Sequence, residues 1–380
     1  MMSISVREAM GLECFKGARI IAGASGFDRL INRVSVLESP DLDDFGTVMG
    51  KGDFYISSFY AIKDDPTAQM NTLRLLVDTN SSGLCLIDLY MDDLNTDIKE
   101  FADKTAYPVV MISNFVPYAA VITDIMDAII KHQEKTITEM TIRSLLRPSV
   151  TEQEIITTAK SINSMFRESM AALYFKCSPN QGTGIQVLKN VYRDKDHWSF
   201  LKYEDGILIL TSFEKGPKGR INMQLEQLVE DIGHYFGDYR LGISRLHHSL
   251  GSLNTCIREA LLSCEVAEGN SEKRVYYNDL GVYRLLMLIK DEPELKRFHD
   301  EIVAPLENYD RQKGTSLLNT AIAFVENDGD IGKTAESLYQ HQNTIRYRLN
   351  KIKEILDMKG MEGSFYEKIS IAVKVHKIIK

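Results

Sequence analysis

The hydrophobic period changes along this chain, and that change narrows the available folds most. Up to about Asn278 short apolar runs of strand character alternate with amphipathic helical stretches; from Tyr283 to Lys380 every periodic stretch is helical. A pattern that mixes both periods and then keeps only one implies separate cores. The 380 residues also exceed the roughly 100–200 of an ordinary domain. The expected fold is therefore multidomain, with an α/β amino-terminal domain, an α+β middle domain and an all-α carboxyl-terminal bundle.

Between Ile4 and about Asn114, VSVLES, DFYISSF, SGLCLID and PVVMISN read as strands and PTAQMNTLRLLVDTN as a helix. Nothing breaks a helix from Ala119 to Leu146, where Ile122, Met126, Ile129, Ile137 and Met140 fall near one face and Gln133 interrupts it. Two readings of this linking helix stay open: packing on a core, or a coiled-coil segment joining two subunits. After Arg147-Pro148-Ser149, the runs AALYFK, GIQVLK, GILILTSF, RLGIS and VYYN read as strands of an antiparallel sheet. EQEIITTAKSINSMF, INMQLEQLVEDIGHYF and SLNTCIREALLSCEVAEG read as its helices. The expected divisions are 1–118, a linking helix 119–148, 149–282 and 283–380.

Composition excludes several classes. Hydrophobic residues at 44% and charged residues at 26% fit folded soluble domains rather than disorder. No apolar run approaches the roughly 18 uninterrupted residues of a membrane helix, since AAVITDIMDAII carries Asp124 and Asp127. The first residues lack a secretory pattern, so the cytoplasm is expected and no membrane partner is. Cys14, Cys85, Cys177, Cys256 and Cys264 include no C-x-x-C pair and read as reduced, mostly buried thiols. The histidines form no ligand set, and His247-His248 reads as a solvated turn, so neither metal nor cofactor is expected. Net charge is -8, yet Ile331–Lys380 holds ten Lys and Arg against five Asp and Glu. A nucleic-acid contact would belong at that end.

Within it, TSLLNTAIAFVENDGD predicts a helix through Leu317, Leu318, Ala321, Phe324 and Val325, stopped at Gly329. Asp330 is placed to cap a short second helix with Ile331, Ala335 and Leu338 inward, and a polar turn at Gln340 and His341 opens a third. On that helix a 100° wheel puts Ile345, Leu349, Ile352 and Leu356 on the buried side. Asn343, Tyr347, Asn350 and Lys351 fall opposite, with Thr344 beside them and Arg346 and Arg348 on the flanks. A polar helix face is by itself more often simply solvated. Here a short preceding helix, a turn of suitable length and the absence of acids from Ser337 to Lys353 point to a recognition helix, with amides and Lys351 reaching base edges and guanidiniums holding phosphates.

TAESL followed by HQNTIRYRL resembles the carboxyl-terminal motif of the PucR/CdaR-type transcription regulators. SLNTCIREALLSCEVA and VYYNDLGVYRLL resemble that family's GGDEF-like middle domain, and AGASGFDRLINRVSVLESPD, MGKGDFYISS and YPVVMISNFVPYAAV its amino-terminal domain. The resemblance implies a regulator of double-stranded DNA that senses a small metabolite of purine, amino-acid or sugar-acid use, the metabolite itself not implied. It gives Thr334 and Ala335 to the packed second helix and Asn343, Thr344, Arg346 and Arg348 to the recognition helix. Reading two half-sites calls for a homodimer or higher homo-oligomer.

The alternative is a nucleotide-binding or cyclase-like enzyme with a helical interaction tail. A cyclase of the GGDEF type needs glycines that admit the nucleotide and acids that bind metal, whereas this chain has YEDGILIL, with Asp205-Gly206 an ordinary hairpin turn. Gly23, Gly26 and MGKGD do not form a phosphate-binding loop and read as turns. Asp41, Asp43 and Asp44 read as a solvated loop rather than a cation site. No catalytic set is assembled by spacing, so no enzyme is expected.

Overall fold

A strand buried on both faces needs helices on both sides, and two units of this chain, residues 1–140 and 141–380, meet that need differently. The computed structural model describes residues 3–38, 50–178 and 182–379. In the first unit, β1 (Ile4–Ser5) leads into α1 (Val6–Ala9), where Ser5 and Glu8 form a reciprocal capping box. β2 (Arg19–Ala22) follows, then β3 (Leu30–Ile31), which pairs with β1, and β4 (Arg33–Val36). Beyond them lie β5 (Asp53–Ser57), α2 (Pro66–Asp78), β6 (Gly83–Ile87), α3 (Thr96–Lys104), β7 (Val109–Ile112) and the long α4 (Tyr118–Leu145).

The sheet runs β2-β7-β6-β5-β4, parallel except for β2. Phe54, Ile56, Cys85 and Val110 point to Val121, Ile125 and Ile129 of α4; Tyr55, Leu84, Leu86 and Met111 point to Leu73 and Leu76 of α2 and Ile98 of α3. Of the apolar runs read from sequence, DFYISSF, SGLCLID and PVVMISN are thus the central parallel strands β5, β6 and β7, while VSVLES forms the edge strand β4. Of the stripe expected on α4, Ile129 is buried and Ile122 and Met126 are partly so, whereas Ile137 and Met140 are exposed at 57% and 61%. The triad Asp41, Asp43 and Asp44 lies outside the described residues.

The second unit contains α5 (Glu152–Ile162), β8 (Ser169–Cys177), α6 (Gly182–Val191), β9 (Ser199–Tyr203), β10 (Gly206–Phe213), α7 (Lys218–Tyr235), β11 (Tyr239–Ile243), α8 (Leu253–Gly269) and β12 (Arg274–Tyr276). Sheet order is β12-β11-β8-β10-β9, antiparallel except for β11 with β12. Along β8 the two-residue period divides the core. Ala171, Leu173 and Phe175 meet Leu188 of α6 and Leu228 and Ile232 of α7, while Met170, Ala172 and Tyr174 meet Ile155 of α5 and Cys256, Ile257 and Ala260 of α8.

Two expectations fail here. GIQVLK is helical, within α6, because Ile185 and Leu188, three residues apart, both turn to the core beside Phe236 while Val187 faces out. His247 is not a solvated turn: its backbone bridges Met170, and its Nε2 lies 3.1 Å from the buried Glu259 carboxylate, which also holds Arg245. The five cysteines are free thiols, four of them buried.

After β12 the chain is helical: α9 (Tyr283–Leu286), α10 (Pro293–Lys313), α11 (Leu317–Glu326), α12 (Ile331–Ser337), α13 (Gln342–Ile355) and α14 (Glu362–Ile378). Their shared core joins Leu306, Ala321, Phe324, Ala335, Ile345, Leu349, Ile352, Phe365 and Ile369. No helix among the described residues is long and apolar enough to cross a membrane.

Candidate nucleic-acid interface

The interface begins with a stop. α11 ends at Glu326 with Asn327 as its cap, and Asp328 and Gly329 follow in the left-handed region at φ 52° and 78°, so that the Gly329 amide returns to the Phe324 carbonyl at 2.8 Å. A side chain at Gly329 would also meet the Tyr366 ring at 2.9 Å. Asp330 then caps α12 by accepting the Lys333 amide at 2.9 Å, and that backbone hydrogen bond holds its carboxyl below the usual range. Thr334 and Ala335 are buried, and Thr334 donates its hydroxyl to the Asp330 carbonyl.

The turn between α12 and α13 is closed by the Gln340 amide on the Ala335 carbonyl at 2.9 Å, with Tyr339 left-handed at φ 53°. His341 caps α13, its Nδ1 accepting the Asn343 amide at 3.2 Å. Ile345, Leu349 and Ile352 then face inward, which fixes the opposite face. There Asn343, Arg346, Tyr347 and Asn350 are exposed, Tyr347 at 70%. Their spacing of i, i+3, i+4 and i+7 makes them one stripe.

The other site residues expected from sequence are differently engaged. Thr344 is half-buried. Arg348 is also half-buried, and its Nη1 donates to Thr320 on α11 at 3.2 Å. Lys351 lies 3.3 Å from Glu354 and 5.3 Å from the Tyr309 ring centroid; the Glu354 hydrogen bond raises its pKa. Arg346 makes no ion pair among the described residues, its Nη1 resting 3.4 Å from the Asn343 side-chain oxygen. Spatially, therefore, Asn343, Arg346, Tyr347 and Asn350 form the accessible centre, with Arg348 and Lys351 partly spent on the scaffold.

Sequence reasoning passed over Tyr339 and Gln342, both exposed beside this face. An aromatic in SLYQ looks like a core residue until the turn is built. A second polar edge lies on the amino-terminal sheet. Past the carboxyl end of β4, the Glu38 carboxylate accepts the Ser58 amide at 2.9 Å, the Ser58 hydroxyl at 2.8 Å and the Tyr118 hydroxyl. Burial first, and this hydrogen bond second, push the Tyr118 phenol up to about 12. After β5 and β6, the exposed Tyr60 and Tyr90 rings lie 4.8 Å apart, with the Lys63 ammonium 5.4 and 5.6 Å from their centroids.

Residues 8–129 match the purine catabolism regulatory protein-like family, and residues 317–375 match the PucR C-terminal helix-turn-helix domain. Three curated proteins of Bacillus subtilis are similar. The proline-responsive transcriptional activator PutR is 24% identical over 240 residues, 59% of this chain and 58% of PutR. The DNA-binding transcriptional activator AdeR is 25% identical over 142 residues, 36% and 32% of the two chains. The purine catabolism regulatory protein is 25% identical over 130 residues, 34% and 23%. The matched part thus spans little more than half of PutR and about a third or less of the others. The chain thus carries a segment similar to the purine catabolism regulatory protein-like family near its amino end and a PucR-type helix-turn-helix segment near its carboxyl end, and its curated relatives are PucR-type transcription regulators.

Proposed function

We propose that this chain is a cytoplasmic, sequence-specific DNA-binding transcription regulator that responds to a small metabolite. The observation that carries the reading is the exposed stripe Asn343, Arg346, Tyr347 and Asn350 on α13, behind a short capped helix in the basic part of an acidic chain. Asn343 and Asn350 offer amides to adenine edges and Arg346 a guanidinium to guanine or phosphate. Thr344, Arg348 and Lys351 complete the contact from its flanks. The test is mobility shift on the DNA upstream of the chain's own gene at two salt concentrations, with N343A/R346A beside the wild type. Binding that falls steeply with salt and is lost in the double variant supports the reading; equal binding by both overturns the recognition-helix assignment.

The domains assigned are 1–118 as sensor, 119–148 as linking helix, 149–282 as a degenerate GGDEF-like module and 283–380 as the DNA reader. Supporting the sensor role, the ends of parallel strands are where α/β domains take small ligands, and here they carry Glu38, Tyr60, Tyr90 and Tyr118. The effector class is a purine, amino acid or sugar acid; a thermal-shift screen of the three classes tests it, since a ligand of the native state raises its melting temperature. Supporting a module for pairing or sensing rather than catalysis, Asp205 at the β9–β10 hairpin is engaged by Lys176 at 3.2 Å and Tyr174 at 3.1 Å. Turnover of GTP with magnesium would revive the enzyme reading. The assembly proposed is a homodimer, each copy presenting one α13 to one half-site.

A further inference from the structure

Tyr339 is the most exposed of the large apolar and aromatic side chains among the described residues, at 95%. It also holds a left-handed backbone at φ 53°, which glycine adopts freely and a tyrosine only against the clash of its Cβ. The turn itself imposes this conformation, through the Tyr339 amide on the Glu336 carbonyl at 3.1 Å and the Gln340 amide on Ala335. Its ring stacks on no other ring and its hydroxyl makes no hydrogen bond among the described residues. A bulky side chain that packs on nothing, at a position suited to glycine, contributes nothing evident to the isolated fold. Its surroundings suggest an external partner.

Tyr339 lines a concave surface of about 660 Å³ with Gly332 of α12 and His341, Gln342, Asn343 and Arg346 at the start of α13. Glu336 stands on the same rim and repels anions, so the trough favours an anion held at the α13 side, near Arg346, over one at its α12 side. Asn343 and Arg346 belong both to this trough and to the base-facing stripe, so the trough borders the groove that α13 would enter. A duplex with a helix in its major groove places a sugar–phosphate strand on that border, and tyrosine hydroxyls are among the donors that hold such strands.

We propose that Tyr339 donates its hydroxyl to a backbone phosphate beside the major groove, as a positioning contact that sets how α13 sits on DNA without reading a base. This rests on the DNA-binding reading above. The expected signature is a loss of affinity that is uniform over sequences. The test uses the full chain, the duplex upstream of its own gene, single-base variants of that duplex, and an unrelated duplex at low salt.

Y339F keeps the ring and removes the donor; it is expected to bind every duplex about tenfold more weakly. The ranking of sequences and the salt slope stay unchanged, because no charge is lost. R346A weakens binding and lowers the salt slope by about one ion. Y339G relieves the left-handed backbone and is expected to melt at the same or a higher temperature while binding at least as weakly as Y339F. If Y339F binds like the wild type while R346A is impaired, the phosphate contact is wrong and the DNA reading stands. A change in sequence ranking with Y339F overturns the positioning role. A wild type that binds neither duplex at low salt overturns both.

Discussion

Arg346 and Arg348 are the same residue two positions apart on one helix, yet their surroundings give them different work. Arg346 faces outward without an acid partner among the described residues, while Arg348 spends a nitrogen on Thr320 across the bundle. R346A is therefore expected to lose DNA affinity at unchanged melting temperature, whereas R348A should destabilise the bundle by about 1 kcal/mol and weaken DNA binding less. Mobility shift with thermal denaturation checks both, and the reversed ordering would contradict the assignment. The wheel that separates buried from exposed positions on α13 is legible in sequence because it needs only local spacing. The Thr320 contact is not, since its partner lies 28 residues away. Glu259 makes the same point in the sheet unit. Buried at 2% exposure, it takes Arg245 Nε at 2.9 Å, the Arg245 amide at 2.9 Å and His247. Burial works against its charge, but the hydrogen bonds from His247 and Arg245 outweigh it and hold the carboxyl below the ordinary value. The native state thus binds fewer protons there than the unfolded chain. That contribution is fully present above the ordinary glutamate range and is lost as pH falls through the lowered native value. In acid titrations followed by circular dichroism, the wild type should lose stability more steeply below about pH 4.5 than E259Q, which should be the less stable of the two at pH 7.

At the scale of elements, what separates the correct expectations from the failed one is length. The four strands read in the first unit and the helices α2, α7, α8 and α13 carry enough residues for their period to be unambiguous. GIQVLK does not: six residues with Ile185, Val187 and Leu188 satisfy both a two-residue and a three-to-four-residue period. Only the seating of Ile185 and Leu188 by Phe236 decides for a helix. β2, with Arg19 and Ile20 exposed on an edge, and β9, SFLKY, lack a buried apolar run and gave no strand signal. The helix-turn-helix was legible because its boundaries rest on residues with specific chemistry, the stop at Gly329 and the cap at Asp330. That dependence is testable. G329A forces a Cβ into a left-handed turn and against the Tyr366 ring, so a loss of about 1–2 kcal/mol is expected. For a unit of this size that lowers the melting temperature by several degrees. An unchanged melting temperature would mean the turn relaxes and does not set the α11–α12 junction.

For the whole molecule, charge and the exposed apolar residues of α4 bear on assembly. The carboxyl end is basic within a chain of net charge -8, so DNA attraction is local and the rest of the chain repels phosphate. Such a reader gains affinity chiefly by presenting two recognition helices at once, which requires a second copy. On α4, Val121, Ile125 and Ile129 are buried, but Ile130 and Met140 remain exposed at 46% and 61%. Met140 belongs to the apolar stripe expected on α4, and Ile130 lies outside it; both are open to solvent. Of the two readings open for α4, these exposures favour self-association, and the prediction follows. Wild type should sediment as a dimer, and I130E/M140E should shift toward monomer by placing like charges in the pair. Affinity for a duplex with two half-sites should fall by at least tenfold in the variant, while affinity for a single half-site stays as in the wild type, because α13 is untouched. A variant that still sediments as a dimer removes α4 as the contact. If the variant is monomeric yet loses single-half-site binding too, the helix acts on the DNA reader itself rather than by joining copies.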